Sequence, residues 1–146
     1  MAQRRTAADR LLNSNEAYAA AHGPLEHSAV PDRRLVILTC MDSRIDTFAA
    51  FGLERGEAQL IRNGGAFHSE DVVRSLKLSI GLGVDNLVVV QHTDCAAAKA
   101  EGHPDVDAAL AETLAQLAEE PDLKPLNVEG LVYVTEEGRL RRALRP

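Results

Sequence analysis

Three side chains in this sequence are soft metal donors set at suggestive intervals. His92 and Cys95 lie three apart in His92-Thr93-Asp94-Cys95, and Cys40 opens Cys40-Met41-Asp42-Ser43-Arg44. Zinc favours thiolate and imidazole in a tetrahedron, and a catalytic zinc keeps one position open. Two Cys and one His match that count. The H-x-x-C pair alone is weak evidence; a further Cys at the end of another apolar run strengthens it. The plain alternative is two buried cysteines and a hydrogen-bonded histidine. Another is a metal-free redox pair of Cys40 with Cys95. Asp42 and Arg44 alternate with Cys40 along what reads as an extended segment, which would put all three on one side. A carboxylate and a guanidinium there can pair bidentately, which orients Asp42 and holds it ionised. Next to a metal, such a carboxylate is a candidate base; away from one, the pair merely fixes a loop.

These groups need a scaffold that brings them together. The run LVILT at 35–39 is short, continuous and β-branched, as in a strand buried on both faces. Further strands are expected at 58–61, at 87–91 and at 130–135, followed by a Glu136-Glu137-Gly138 turn into a short strand near 139–144. Helical periodicity fills the gaps at 70–82 (Val72, Val73, Leu76, Ile80) and at 104–119 (Val106, Leu110, Leu114, Leu117). An Ala-rich helix is expected at 5–22, stopped by Gly23-Pro24, with its apolar face on the sheet or on a second subunit. The expected fold class is α/β. It has a mostly parallel β-sheet of four strands plus a short antiparallel edge strand, flanked by helices, with an N-terminal helix. One domain over 1–146 is expected, with 1–24 as a helical arm. Function in such sheets collects past the carboxyl ends of the strands. There the sequence places Cys40–Arg44, Arg62-Asn63-Gly64-Gly65 and His92–Cys95. Cys40 reaches the other two ligands if its strand neighbours the third strand.

Those three blocks, with Ile61 before the second, resemble the signature segments of the β-class carbonic anhydrases in residues, order and strand context. Glu129–Leu140 also resembles that family's final strand and hairpin. The resemblance covers roughly 30–100 plus the tail. It implies a zinc enzyme that reversibly hydrates carbon dioxide to bicarbonate and a proton by zinc-bound hydroxide. By motif position it implies Cys40, His92 and Cys95 as Zn2+ ligands and Asp42 with Arg44 as a catalytic dyad. An Asp42 that lost Arg44 could turn onto the zinc and close the open position. The family also implies a homodimer or higher even oligomer. The same site could hydrolyse COS or CS2, and a zinc-binding domain with little turnover is a further alternative. Two departures stand out: Ala96 where the family has Gly after the last ligand, and Gly64 where it has Ala. A methyl at 96 is expected to narrow the pocket or displace a backbone N–H. The stretch between Cys95 and Asn127 also reads as short for the family.

Composition excludes other classes. Sixteen Lys plus Arg against twenty-two Asp plus Glu, a formal charge of −6, argue against a basic face for nucleic acid or anionic membrane. Aromatic residues at 3%, with no Trp, supply no stacking platform for bases. No apolar run approaches the ~20 residues of a membrane span, and MAQRRTAADR lacks an apolar leader segment, so the cytoplasm is the expected compartment. Two Cys exclude a disulfide scaffold. Gly64-Gly65 has no following Lys-Ser/Thr, so it reads as a place of close backbone approach and not as a P-loop. His68 and His103 read as surface histidines, with proton shuttling as the alternative. Asp94 reads as a helix cap, and Arg139, Arg141, Arg142 and Arg145 as a solvated strand face.

Overall fold

The computed structural model of the chain describes residues 4–144. Its centre is a five-stranded sheet of β1 (Leu35–Cys40), β2 (Ala58–Asn63), β3 (Asn86–His92), β4 (Asn127–Val134) and β5 (Arg139–Arg142), ordered β2-β1-β3-β4-β5. The first four are parallel, and β5 pairs antiparallel with β4. The apolar runs therefore sit where their continuity requires, with β1 and β3 as inner strands covered on both faces. From β1 the chain goes to β2 on one side, then returns to lay β3 on the other. The ends of β1 and β3 thus flank a topological switch point.

Helices α3 (Glu70–Gly81) and α5 (Val106–Ala118) cover one face of the sheet. There Val36, Leu38, Leu87, Val89 and Val132 meet Val72, Leu76, Leu110 and Leu117. Ser69 accepts from the Val72 N–H and Asp105 from those of Asp107 and Ala108, which sets both helix starts. A Cβ at Gly130 of β4 would stand 2.8 Å from Leu114 Cδ1, so glycine there lets α5 lie close on the sheet. The opposite face carries Ile37, Ile45, Val90 and Tyr133 under the short α2 (Thr47–Phe51), with Leu35, Leu60, Val88, Leu131 and Leu140 only half-covered.

The N-terminal helix α1 (Ala7–His22) begins at a Thr6–Asp9 capping box and ends at Gly23, but it buries none of its residues. Leu11 and Leu12 are 73% and 68% exposed, so its apolar face does not lie on its own sheet. Boundaries moved by one to three residues from expectation; β4 starts at Asn127 and β5 ends at Arg142. Helix α2 and a 3-10 turn at Pro121–Leu123 were not foreseen, since elements this short show no period. The basic tail is not simply solvated. Arg141 makes a two-bond pair with Asp107, Arg142 meets Glu129, and Arg139 lies 3.7 Å from Glu137. Arg145 and residues 1–3 lie outside the described residues.

Candidate metal centre

Strand adjacency brings the end of β1 beside the end of β3, and there Cys40, His92 and Cys95 converge. Their ligand atoms all lie within 4.8 Å of one another, and all three residues are buried. The two Sγ atoms are 3.9 Å apart. Two thiolates at about 2.3 Å from one tetrahedral zinc would stand about 3.8 Å apart, so the separation fits.

The local chain prepares each candidate ligand. His92 Nδ1 lies 2.7 Å from the Thr93 carbonyl, which can only accept, so Nδ1 carries the proton and Nε2 offers its lone pair to the site. The Thr135 hydroxyl donates to the same carbonyl and fixes it further. His92 Nε2 is buried and has no hydrogen-bond partner, an unusual state for an imidazole nitrogen unless a ligand completes it. Cys40 Sγ accepts from the Gly65 N–H at 3.3 Å, and Cys95 Sγ from the Ala98 N–H at 3.4 Å. Burial pushes the Cys95 thiol up, so a thiolate here needs a cation to hold it. The donor set therefore fits zinc.

Gly65 is the backbone's closest approach. Its φ is +92°, and a Cβ would stand 2.3 Å from the Phe67 ring. Gly64 is not so constrained, because a Cβ there would meet Ala97 at an ordinary 3.6 Å. An alanine at 64 would therefore fit without a clash. The expected narrowing by Ala96 is not found. Ala96 is exposed and absent from the walls of the cavity beside the ligands, about 240 Å³ in volume.

Asp42 and Arg44 face each other, though across a turn and not along an extended segment, since β1 ends at Cys40. Arg44 donates from Nη2 to Asp42 Oδ2 at 2.8 Å and from Nε to Oδ1 at 3.0 Å, with its own N–H also on Oδ1. These bonds hold the Asp42 carboxyl well below the usual carboxylate range and raise the guanidinium's own pKa. Asp42 Oδ2 stands 3.8 Å from His92 Nε2, at the edge of the cluster.

Sequence reasoning missed the role of Arg62. From the end of β2 its guanidinium donates to the carbonyls of Cys40, Asp42 and Ile45, stapling the dyad loop to the sheet. Its position in a strand-end block was the available signal. Asp94 was expected to cap a helix. Instead Cys95 caps α4 (Ala96–Ala100), and Asp94, at φ +52°, pairs with Arg44 and Lys99. Neither His68 nor His103 is a free surface histidine. His68 bonds Glu120 at 2.8 Å, and His103 lies against Phe67 in the cavity wall.

A family model described as carbonic anhydrase matches residues 35–124, the span holding Cys40, Asp42, Arg44, Arg62, His92, Asp94 and Cys95. The chain belongs to the β-carbonic anhydrase family. It is 39% identical over 92 residues to β-carbonic anhydrase 1 of Mycobacterium tuberculosis, covering 62% of this chain and 55% of that protein. A carbon disulfide hydrolase of Saccharolobus solfataricus is 42% identical over 65 residues, covering 44% of this chain and 32% of that one. The chain thus spans about half the length, or less, of these relatives. Among solved structures, carbonic anhydrase from Streptococcus mutans superposes with a TM-score of 0.88 at 30% identity, covering 97% of this chain and 100% of that one. As a β-carbonic anhydrase family member, the chain carries the Cys-His-Cys cluster at the carboxyl ends of the adjacent parallel strands β1 and β3.

Proposed function

We propose that this chain is a zinc enzyme interconverting carbon dioxide and bicarbonate, with Cys40, His92 and Cys95 as ligands and Asp42 and Arg44 as its dyad. One observation carries the reading: a buried Cys-His-Cys cluster with an orphaned imidazole nitrogen, and an ionised carboxylate 3.8 Å away. Zinc bound there supplies Lewis acidity that makes water ionise far more readily than in bulk. The chain's residues do the rest. The Asp42 carboxylate, kept ionised by Arg44, is an acceptor that orients a reacting water by taking a hydrogen bond from it. Arg44 holds that carboxylate away from the ligands, so that a position among them stays free for water. Arg62 keeps the loop carrying both groups in register with Cys40. Phe67, Ala98, Val106 and Ala109 give the cavity an apolar wall suited to a small linear substrate.

The carbon disulfide hydrolase relative supports a second reading, hydrolysis of CS2 or COS at the same centre. Stopped-flow CO2 hydration beside CS2 hydrolysis, with wild type and Arg44→Ala, separates the two. CO2 turnover that falls on the order of 10²-fold in Arg44→Ala without loss of zinc supports the first reading. CS2 turnover alone supports the second.

We read the chain as one such unit, acting as a homodimer or higher even oligomer. The exposed face of α1 and the half-covered leucines of the α2 face are the apolar surfaces a second copy would bury. No helix of the described residues is long and apolar enough to cross a membrane. We propose a cytoplasmic enzyme of small molecules, whose acidic net charge disfavours nucleic acid and anionic membrane as partners.

A further inference from the structure

Arg44 is held from two sides. Its Nε and Nη2 face Asp42, while Nη1 donates to Asp94 Oδ2 at 2.9 Å and Nη2 also donates to the Asp94 carbonyl at 2.9 Å. Asp94 sits between Thr93 and the ligand Cys95, in a loop that is itself tied down. The Thr93 N–H donates to the Tyr133 carbonyl, and the Thr93 hydroxyl donates to Glu136. Arg44 therefore bridges the loop after β1 to the loop after β3. Arg44 is about half exposed while Asp42 is largely covered, so a guanidinium anchored only at Asp42 would leave its outer edge free to swing. Anchored at its outer edge, it is a fixed seat for the Asp42 carboxylate. Lys99 in turn bonds the other oxygen of Asp94, so charges alternate along Asp42, Arg44, Asp94 and Lys99. Without Lys99, two carboxylates would compete for one guanidinium.

We infer that Asp94 is a positioning residue: it holds the outer edge of Arg44, which keeps Asp42 on Arg44 and off the metal position. The inference rests on the proposed zinc site, and it extends the dyad to a four-residue chain. The left-handed backbone at 94 selects the useful variants. Glycine accepts φ +52° and removes the carboxylate while keeping the carbonyl bond; asparagine accepts it and keeps an acceptor oxygen.

The test loads wild type, Asp94→Gly and Asp94→Asn with Co2+, whose visible absorption reports the ligand set, and with Zn2+ for metal content and rates. The expected result is full metal in all three and an altered Co2+ spectrum in Asp94→Gly, as Asp42 turns onto the metal. Asp94→Asn should keep a spectrum close to wild type. In CO2 hydration, kcat of Asp94→Gly should fall about tenfold with KM changed less than about twofold, and Asp94→Asn should recover most of it. An unchanged Co2+ spectrum in Asp94→Gly overturns the inference whatever the rates. So do wild-type kcat in that variant and loss of metal or fold in both variants. A wild type that turns over no CO2 defeats the proposed reaction and leaves the spectral comparison to decide the role of Asp94.

Discussion

Replacing Cys40 by Ser should separate metal binding from folding in a single melting experiment. In the wild type, zinc would complete the His92 Nε2 lone pair, whose burial without a partner costs about 1–3 kcal/mol. It would also let two buried sulfurs ionise, against the desolvation that raises Cys95. Free zinc at about a thousand times its Kd stabilises the folded state by about 4 kcal/mol. A chain of this size gains about 2–4 °C in Tm per kcal/mol, so zinc should raise the wild-type Tm by about 8–16 °C. Cys40→Ser removes one of two thiolates, and serine is a poor zinc ligand at neutral pH. Zinc should then shift its Tm by less than about 3 °C, and dialysis should strip the metal. The assay is thermal melting by circular dichroism across a zinc series buffered by chelator, with metal content measured after dialysis. A wild type that zinc does not stabilise refutes the reasoning. So does a Cys40→Ser variant that keeps a full complement of zinc with the full shift.

Arg44→Ala should retain zinc yet lose CO2 hydration on the order of 10²-fold, measured by stopped flow; wild-type rates would remove Arg44 from the dyad. Arg62→Met leaves the carbonyls of Cys40, Asp42 and Ile45 without this donor and should cost about 1–3 kcal/mol in urea unfolding. Asp107→Asn weakens a half-buried two-bond pair with Arg141 and should cost about 1–2 kcal/mol at pH 7. Arg141 lowers the folded pKa of Asp107, so this contribution is complete above the unfolded carboxylate pKa of about 3.9 and disappears as pH falls through the lower folded value. The difference between wild type and Asp107→Asn should therefore be constant from about pH 5 to 8 and shrink below about pH 4. Removing residues 1–24 should weaken self-association in sedimentation, and a wild type that is monomeric at micromolar concentration counts against the assembly.

What the sequence by itself determined is local. Continuous β-branched runs, helix caps and a period of 3.6 are short-range signals, and they placed four parallel strands, α3, α5 and the hairpin within a few residues. The types and intervals of Cys40, His92 and Cys95 also mark them in the sequence as candidate metal donors. That Cys40 meets His92 was decided by the order β2-β1-β3, a choice among pairings that no single strand encodes. The same holds for the side chains that act across loops. Asp94 reads locally as a helix cap because Asp favours caps; only the packing of the β1 and β3 loops turns it onto Arg44. Arg62 looks like one more charge in a strand-end block until β2 pairs with β1 and lays its guanidinium against the carbonyls of Cys40, Asp42 and Ile45. Ala96 reads as an obstruction because its neighbour Cys95 is a candidate ligand. The turn of α4 points its methyl to solvent, and direction is a property of the assembled backbone.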